Sequence, residues 1–185
     1  MMDGVFASMD GGPNDILSKF TSDIGIFSVC EIPTNKQLWA LYASRGQGYV
    51  VEFSAQHSFF RTVRDDGADV NLLRKVRYTN DRISDFWHNP YFLFLVKDQE
   101  WAFEREWRLI RSLKKCTSTG IHDGEEVFVQ DVIPGMITRI IFGYRYETSG
   151  LRDDFATIKA FDPNITAMQT IVNDQSGGLI LEQIF

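Results

Sequence analysis

The sequence sets two carboxylates and a guanidinium at alternate positions in Trp101-x-x-Glu104-x-Glu106-x-Arg108. On a strand, alternate side chains share a face, so Glu104, Glu106 and Arg108 form a row and Phe103, Arg105, Trp107 and Leu109 take the other side. Carboxylates one repeat apart, roughly 6 to 7 Å between Cα atoms, raise each other's pKa unless a cation intervenes. Arg108 is placed to be that cation. Such an array can stabilise a developing sugar cation with one carboxylate while the other orients or deprotonates an acceptor. The competing reading is a solvated strand face paired for solubility. A second grouping lies in Leu38 to Gly48, where a helix ends in Arg45-Gly46-Gln47-Gly48, a turn whose backbone could approach a ligand. Trp39 and Tyr42, three apart on one helical face, either pack in the core or line a pocket with Arg45. Lys97 either snorkels from the core edge to solvent or reaches the acidic strand as a counter-charge. The catalytic candidates are therefore Glu104, Glu106 and Arg108; those for holding a cofactor are Trp39, Tyr42, Arg45 and Lys97.

Other chemistries find no support. His57, His88 and His122 are scattered, no serine or cysteine sits in a nucleophile motif, and Cys30 and Cys116 lack metal-type spacing. Gly46-x-Gly48 lacks the third glycine of a dinucleotide fingerprint. A formal net charge of -6 argues against a nucleic-acid partner, and Arg111, Lys114 and Lys115 read as a solvated basic edge. Met1 to Leu17 has no basic leader region and no run of 18 apolar residues occurs, so a cytoplasmic chain with reduced thiols and no membrane contact is expected. A small-molecule ligand or a protein partner remains.

The elements that must position these residues follow from composition and period. At 185 residues, 44% hydrophobic and 24% charged, the chain has the size and balance of one globular domain. Its 14% aromatic content favours a core of large flat rings. Residues 1–13 are expected to be loosely attached, with one domain over 14–185 that opens on a short helix near Asp15 to Phe20. Ile24 to Val29 predicts a strand, Asn35 a helix cap, and Tyr49 to Phe53 a second strand after the glycine turn. A polar loop around Asp65-Asp66-Gly67 leads to an alternating run, Leu72 to Tyr78, which predicts a strand paired with the one before it. Ile83 to Lys97 recurs at helical spacing, broken at Pro90. Arg105 to Ile110, Val127 to Val129 and Ile137 to Phe142 predict strands, with a polar loop holding Gly120 and Gly124 between the first two. Leu151 to Phe161 predicts a helix, and Ile165 to Val172 with Leu179 to Ile184 a closing hairpin. The irregular order points to an α+β fold, a mixed, mostly antiparallel sheet with several short helices.

Taken together, Leu38-Trp39-Ala40-Leu41-Tyr42 with Gly46 and Gly48, Val76-x-Tyr78, Lys97, the Trp101 to Arg108 motif and Ile140-Ile141-Phe142-Gly143 resemble the bacterial domain of unknown function 2971 family, from about residue 24 onward. The resemblance implies a role in defence against phage or in a toxin–antitoxin setting. Members of that family carry an additional strand and helix leading to an Asn-Asp-Pro element, of which Asn14-Asp15-Ile16 keeps a part, so an N-terminally shortened member is expected. Glu104-x-Glu106 also looks like the glutamate pair of ADP-ribosyltransferases. That likeness implies NAD as cofactor, with Glu106 holding the nicotinamide ribose and Glu104 serving the acceptor. Two other functions are weighed: a non-catalytic interaction domain of a defence or toxin–antitoxin system, and, ranked last, a metal-dependent nuclease using Glu106-x-Arg108.

Overall fold

The computed structural model describes residues 22–61, 72–81, 90–147, 149 and 151–184. The expected loose start at 1–13, the helix near Asp15 to Phe20, the loop at Asp65 to Gly67 and the part of the helical segment before Pro90 lie outside the described residues. In chain order the strands are β1 (Ile24–Cys30), β2 (Tyr49–Phe53), β3 (Leu73–Lys75), β4 (Arg77–Tyr78), β5 (Val96–Lys97), β6 (Glu106–Ser112), β7 (Thr117–His122), β8 (Glu125–Val129), β9 (Ile137–Phe142), β10 (Thr166–Val172) and β11 (Leu179–Gln183). Among the described residues, two α-helices, α1 (Lys36–Tyr42) and α2 (Leu151–Phe161), accompany them with several short 3-10 turns. The α+β class and the mostly antiparallel pairing stand as expected, but the strands divide among several sheets.

The larger sheet runs β11-β10-β9-β2. Its one parallel pair is β9 with β10, and parallel neighbours need a crossover; α2 supplies it. The second half of β9, Ile140 to Phe142, is apolar on both faces because both are covered. Ile140 and Phe142 face Leu151 and Phe155 of α2 together with Ile165 and Ala167, while Ile141 meets Trp39 and Ala43 from the α1 side and Leu179. The smaller sheet runs β1-β6-β3, all antiparallel. A third cluster, Phe60, Leu109 and Met136 with Phe53 and Leu73 against it, joins the two sheets. Phe27, Phe53, Phe59 and Phe60 pack there ring to ring at 5.0 to 6.1 Å, which is one use of the aromatic excess.

Three expectations are corrected. The run Leu72 to Tyr78 is split at the buried Val76, whose N–H donates to the Glu106 carbonyl at 2.9 Å. Its β3 half pairs with β6 and its β4 half with β5, whereas β2 pairs with β9. Pro90–Leu95 is a 3-10 segment leading directly into β5, not an α-helix. The polar loop between β6 and β8 contains strand β7, and Asp123 (φ 52°) with Gly124 (φ 87°) closes the β7–β8 hairpin. Positive φ at both central residues is what a tight hairpin turn matching the strand twist requires.

Candidate functional site

Glu104 does not lie on the strand, contrary to the expected row. It ends the 3-10 turn Gln99–Glu104, which Asp98 caps by accepting the Glu100 N–H at 2.9 Å. Arg105 then takes a left-handed conformation (φ 46°, ψ 51°), an uncommon choice for a residue with a Cβ, and β6 begins at Glu106. Both carboxylates are nonetheless buried, at 3% and 5% exposure. Lys97, brought in by β5, bonds Glu104 and lies 3.4 Å from Glu106. Arg108, one strand repeat after Glu106 on the same face, forks onto it: Nε to Oε1 at 2.8 Å and Nη2 to Oε2 at 3.0 Å. Its remaining nitrogen, Nη1, donates to the Phe94 carbonyl at 2.7 Å. Tyr42, the last residue of α1, donates its hydroxyl to Glu104 Oε1 at 2.8 Å. Tyr78 accepts the Glu106 backbone N–H on its phenol oxygen at 2.8 Å.

Two acids and two bases thus share one buried volume with no net formal charge, the arrangement that buried charges require. Burial alone would lift the Glu106 carboxyl. The hydrogen bonds of Arg108 and Ser28, then the charges of Arg108 and Lys97, outweigh it and hold the group below the usual glutamate value. For Lys97, burial works downward, but the Glu104 bond and the Glu106 and Glu104 charges leave its ammonium more basic than usual. The bond to Glu104 raises the Tyr42 phenol. Cys30, paired across the ladder with Glu106, is exposed as a residue, yet the protein packed about its thiol, with Glu104 and Glu106, pushes its pKa up to about 11. At the rim, the Trp101 ring lies 4.9 Å from the Lys97 Nζ, and Trp101 and Tyr42 are 39% and 67% exposed.

Five of the seven residues singled out from sequence therefore meet: Tyr42, Lys97, Glu104, Glu106 and Arg108. Two do not. Trp39 is 2% exposed, packs in the cluster with Ile141, and donates its indole N–H to the Pro33 carbonyl at 2.6 Å, so its ring has no face for a ligand; the expected cofactor contact is corrected to a core role. Arg45 is exposed at φ 57° and makes no bond to the cluster. The glycine turn approaches protein rather than ligand: Gly143 N–H donates to the Gly48 carbonyl and Arg145 N–H to the Gly46 carbonyl, both at 2.9 Å. Sequence reasoning assigned no role to Tyr78, Ser28 or Trp101. Tyr78 and Trp101 stand inside the quoted motifs, whereas Ser28 in an apolar strand gave no signal.

No family model matches the chain, and neither the curated proteins nor the solved structures contain a match to it. Among the described residues, no three His, Cys, Asp or Glu side chains gather where they could hold a metal ion, and no helix is long and apolar enough to cross a membrane. The chemistry available at the cluster is that of two carboxylates with fixed partners, an ammonium near the surface and two exposed rings.

Proposed function

We propose that this chain is an ADP-ribosyltransferase-like domain that takes NAD at the Tyr42–Trp101 rim, in the defence setting implied by its family resemblance. The observation that carries the reading is that Glu104 and Glu106, delivered by different elements, come to one buried cluster through the shared ammonium of Lys97. Lys97 is the most exposed of the four charged side chains, at 24%. A ligand phosphate drawing it outward frees Glu104 Oε2 and leaves Glu106 to its Arg108 fork, and the exposed rings offer a surface for nicotinamide or adenine. In the transfer, the bond from ribose C1′ to the nicotinamide nitrogen breaks and its electron pair leaves with nicotinamide. Glu106 stabilises the ribosyl cation, and the acceptor lone pair forms the new bond to C1′ as its proton passes to Glu104.

One observation favours a second reading, a non-catalytic interaction domain: each carboxylate oxygen of Glu104 and Glu106 already has an internal donor. Nicotinamide release from NAD, followed by chromatography, separates the two. The transferase reading expects release by the native chain and a loss of about 100-fold or more in Glu106→Gln, the usual scale for removing one transition-state charge partner. Absence of release together with no NAD-induced rise in melting temperature sinks it and leaves the interaction domain.

A further inference from the structure

Every polar group of Asn35 is engaged. Its backbone N–H donates to the Ile32 carbonyl at 3.4 Å and its carbonyl accepts from Trp39 at 3.2 Å. Its side-chain oxygen accepts from the backbone N–H groups of Gln37 at 3.0 Å and Leu38 at 3.4 Å, the work of a helix N-cap. These acceptor contacts fix the amide orientation and turn Nδ2 the other way, where it donates to the Phe103 carbonyl at 2.7 Å across 68 residues of sequence. Phe103 precedes Glu104. Helix α1 is therefore fastened to the Gln99–Glu104 turn at two adjacent residues, by Asn35 to Phe103 at its start and by Tyr42 to Glu104 at its end. Seven residues of helix rise about 10 Å, and helical side chains lean back toward the N-terminus, so the Tyr42 hydroxyl reaches back toward the turn that Asn35 holds.

From this geometry we infer that Asn35 is a positioning residue for the site: its amide donor sets the distance between α1 and the 99–104 turn, and thereby the Tyr42–Glu104 hydrogen bond that orients the Glu104 carboxylate. The consequence for catalysis, a misdirected acceptor base, rests on the NAD reading; the consequence for Tyr42 does not. The two roles of Asn35 separate chemically, because serine caps a helix nearly as well but carries no amide donor to reach Phe103.

The test follows the phenol titration of Tyr42 by tyrosine-labelled NMR in the full chain, its signal assigned with Tyr42→Phe. In the native chain the Glu104 bond, with burial and the charges of Glu104 and Glu106 behind it, holds this phenol above its ordinary value despite an opposing pull from Lys97. Asn35→Ser is expected to bring the Tyr42 titration down toward that ordinary value while far-UV circular dichroism keeps the helix. Asn35→Asp, which caps but cannot donate, is expected to do the same should the serine variant fold poorly. An unchanged Tyr42 titration in a folded variant overturns the inference. Nicotinamide release is read in parallel: a fall in kcat on the order of 100-fold, the scale of a small misplacement, with KM for NAD held, supports the catalytic consequence. A native chain inert toward NAD, with Tyr42 shifted by Asn35→Ser, overturns the NAD reading alone.

Discussion

Glu106 is the most heavily coordinated group in the cluster, meeting a two-point guanidinium, a serine hydroxyl and a more distant ammonium. These outweigh its burial, so its folded pKa lies below the unfolded one of about 4.3. The folded state then binds fewer protons, and the stability contributed by Glu106 is complete above that unfolded value and disappears as pH falls through it toward the folded value. Lys97 has the opposite sign. Its contribution is complete below the ordinary ammonium value of about 10.4 and fades as pH rises through the higher folded one. Urea midpoints measured from pH 7 down to 3 are expected to fall less steeply in Glu106→Gln than in the native chain. The comparison isolates this group from Glu31, Glu52 and Asp162, which are also held low. Equal slopes would show that the guanidinium fork contributes nothing in solution.

At the scale of elements, what could be read in advance tracks how much of each segment is buried. β2, β9, β10, β11 and α2 fall within a residue or two of their expected spans, because each has a covered apolar stripe, and α1 starts at its expected cap, Asn35; β1 falls there too, although Ile26 and Phe27 are 42% and 36% exposed. Strand β7 is exposed along its whole length, so no apolar alternation betrayed it. The site was legible as residue types, since Lys97 and the two glutamates do meet, but not as geometry. Nothing about Arg105 announces a left-handed backbone, and that one residue removes Glu104 from the strand. The glycine turn is readable as a helix cap or as an approach to a ligand, but its partner, another glycine 95 residues or more away, is not, because a close backbone approach leaves no local pattern. A Cβ on Gly143 would stand 2.1 Å from the Gly46 carbonyl oxygen and 3.0 Å from that of Gly48, and backbone cannot swing aside as a side chain can. Gly143→Ala is therefore expected to cost about 3 kcal/mol in urea denaturation. Gly124→Ala meets nothing within 4 Å and suffers only from its positive φ of 87°, about 1 kcal/mol. Similar losses at the two positions would refute the close approach of Gly143 to the turn.

Across the whole molecule, stability and polarity are kept apart. The four-stranded sheet holds in its centre Ile141, Ala167 and Thr170, three residues with no exposure at all, with apolar clusters on both faces, while another such residue, Leu109, lies on β6. The candidate site lies at the smaller sheet, where β6 begins, and is closed by short segments: β4 and β5 of two residues each and the 3-10 segments Pro90–Leu95 and Gln99–Glu104. The β7–β8 hairpin is the third region, two strands with Ile121 75% exposed and Val127 and Val129 partly so; a two-stranded ribbon has little independent stability in water. Local opening free energies follow buried apolar contact, so native-state amide exchange is expected in three tiers. Amides of Ile140–Phe142 and Ala167–Thr170 should open only with global unfolding, those of β1 and β6 sooner, and those of Thr117–Val129 soonest. A hairpin protected as strongly as β9 would contradict this order, because its own contacts cannot supply that protection. Its apolar side chains would then have to be covered in solution, and dilution of the sample would show whether a second copy of the chain covers them.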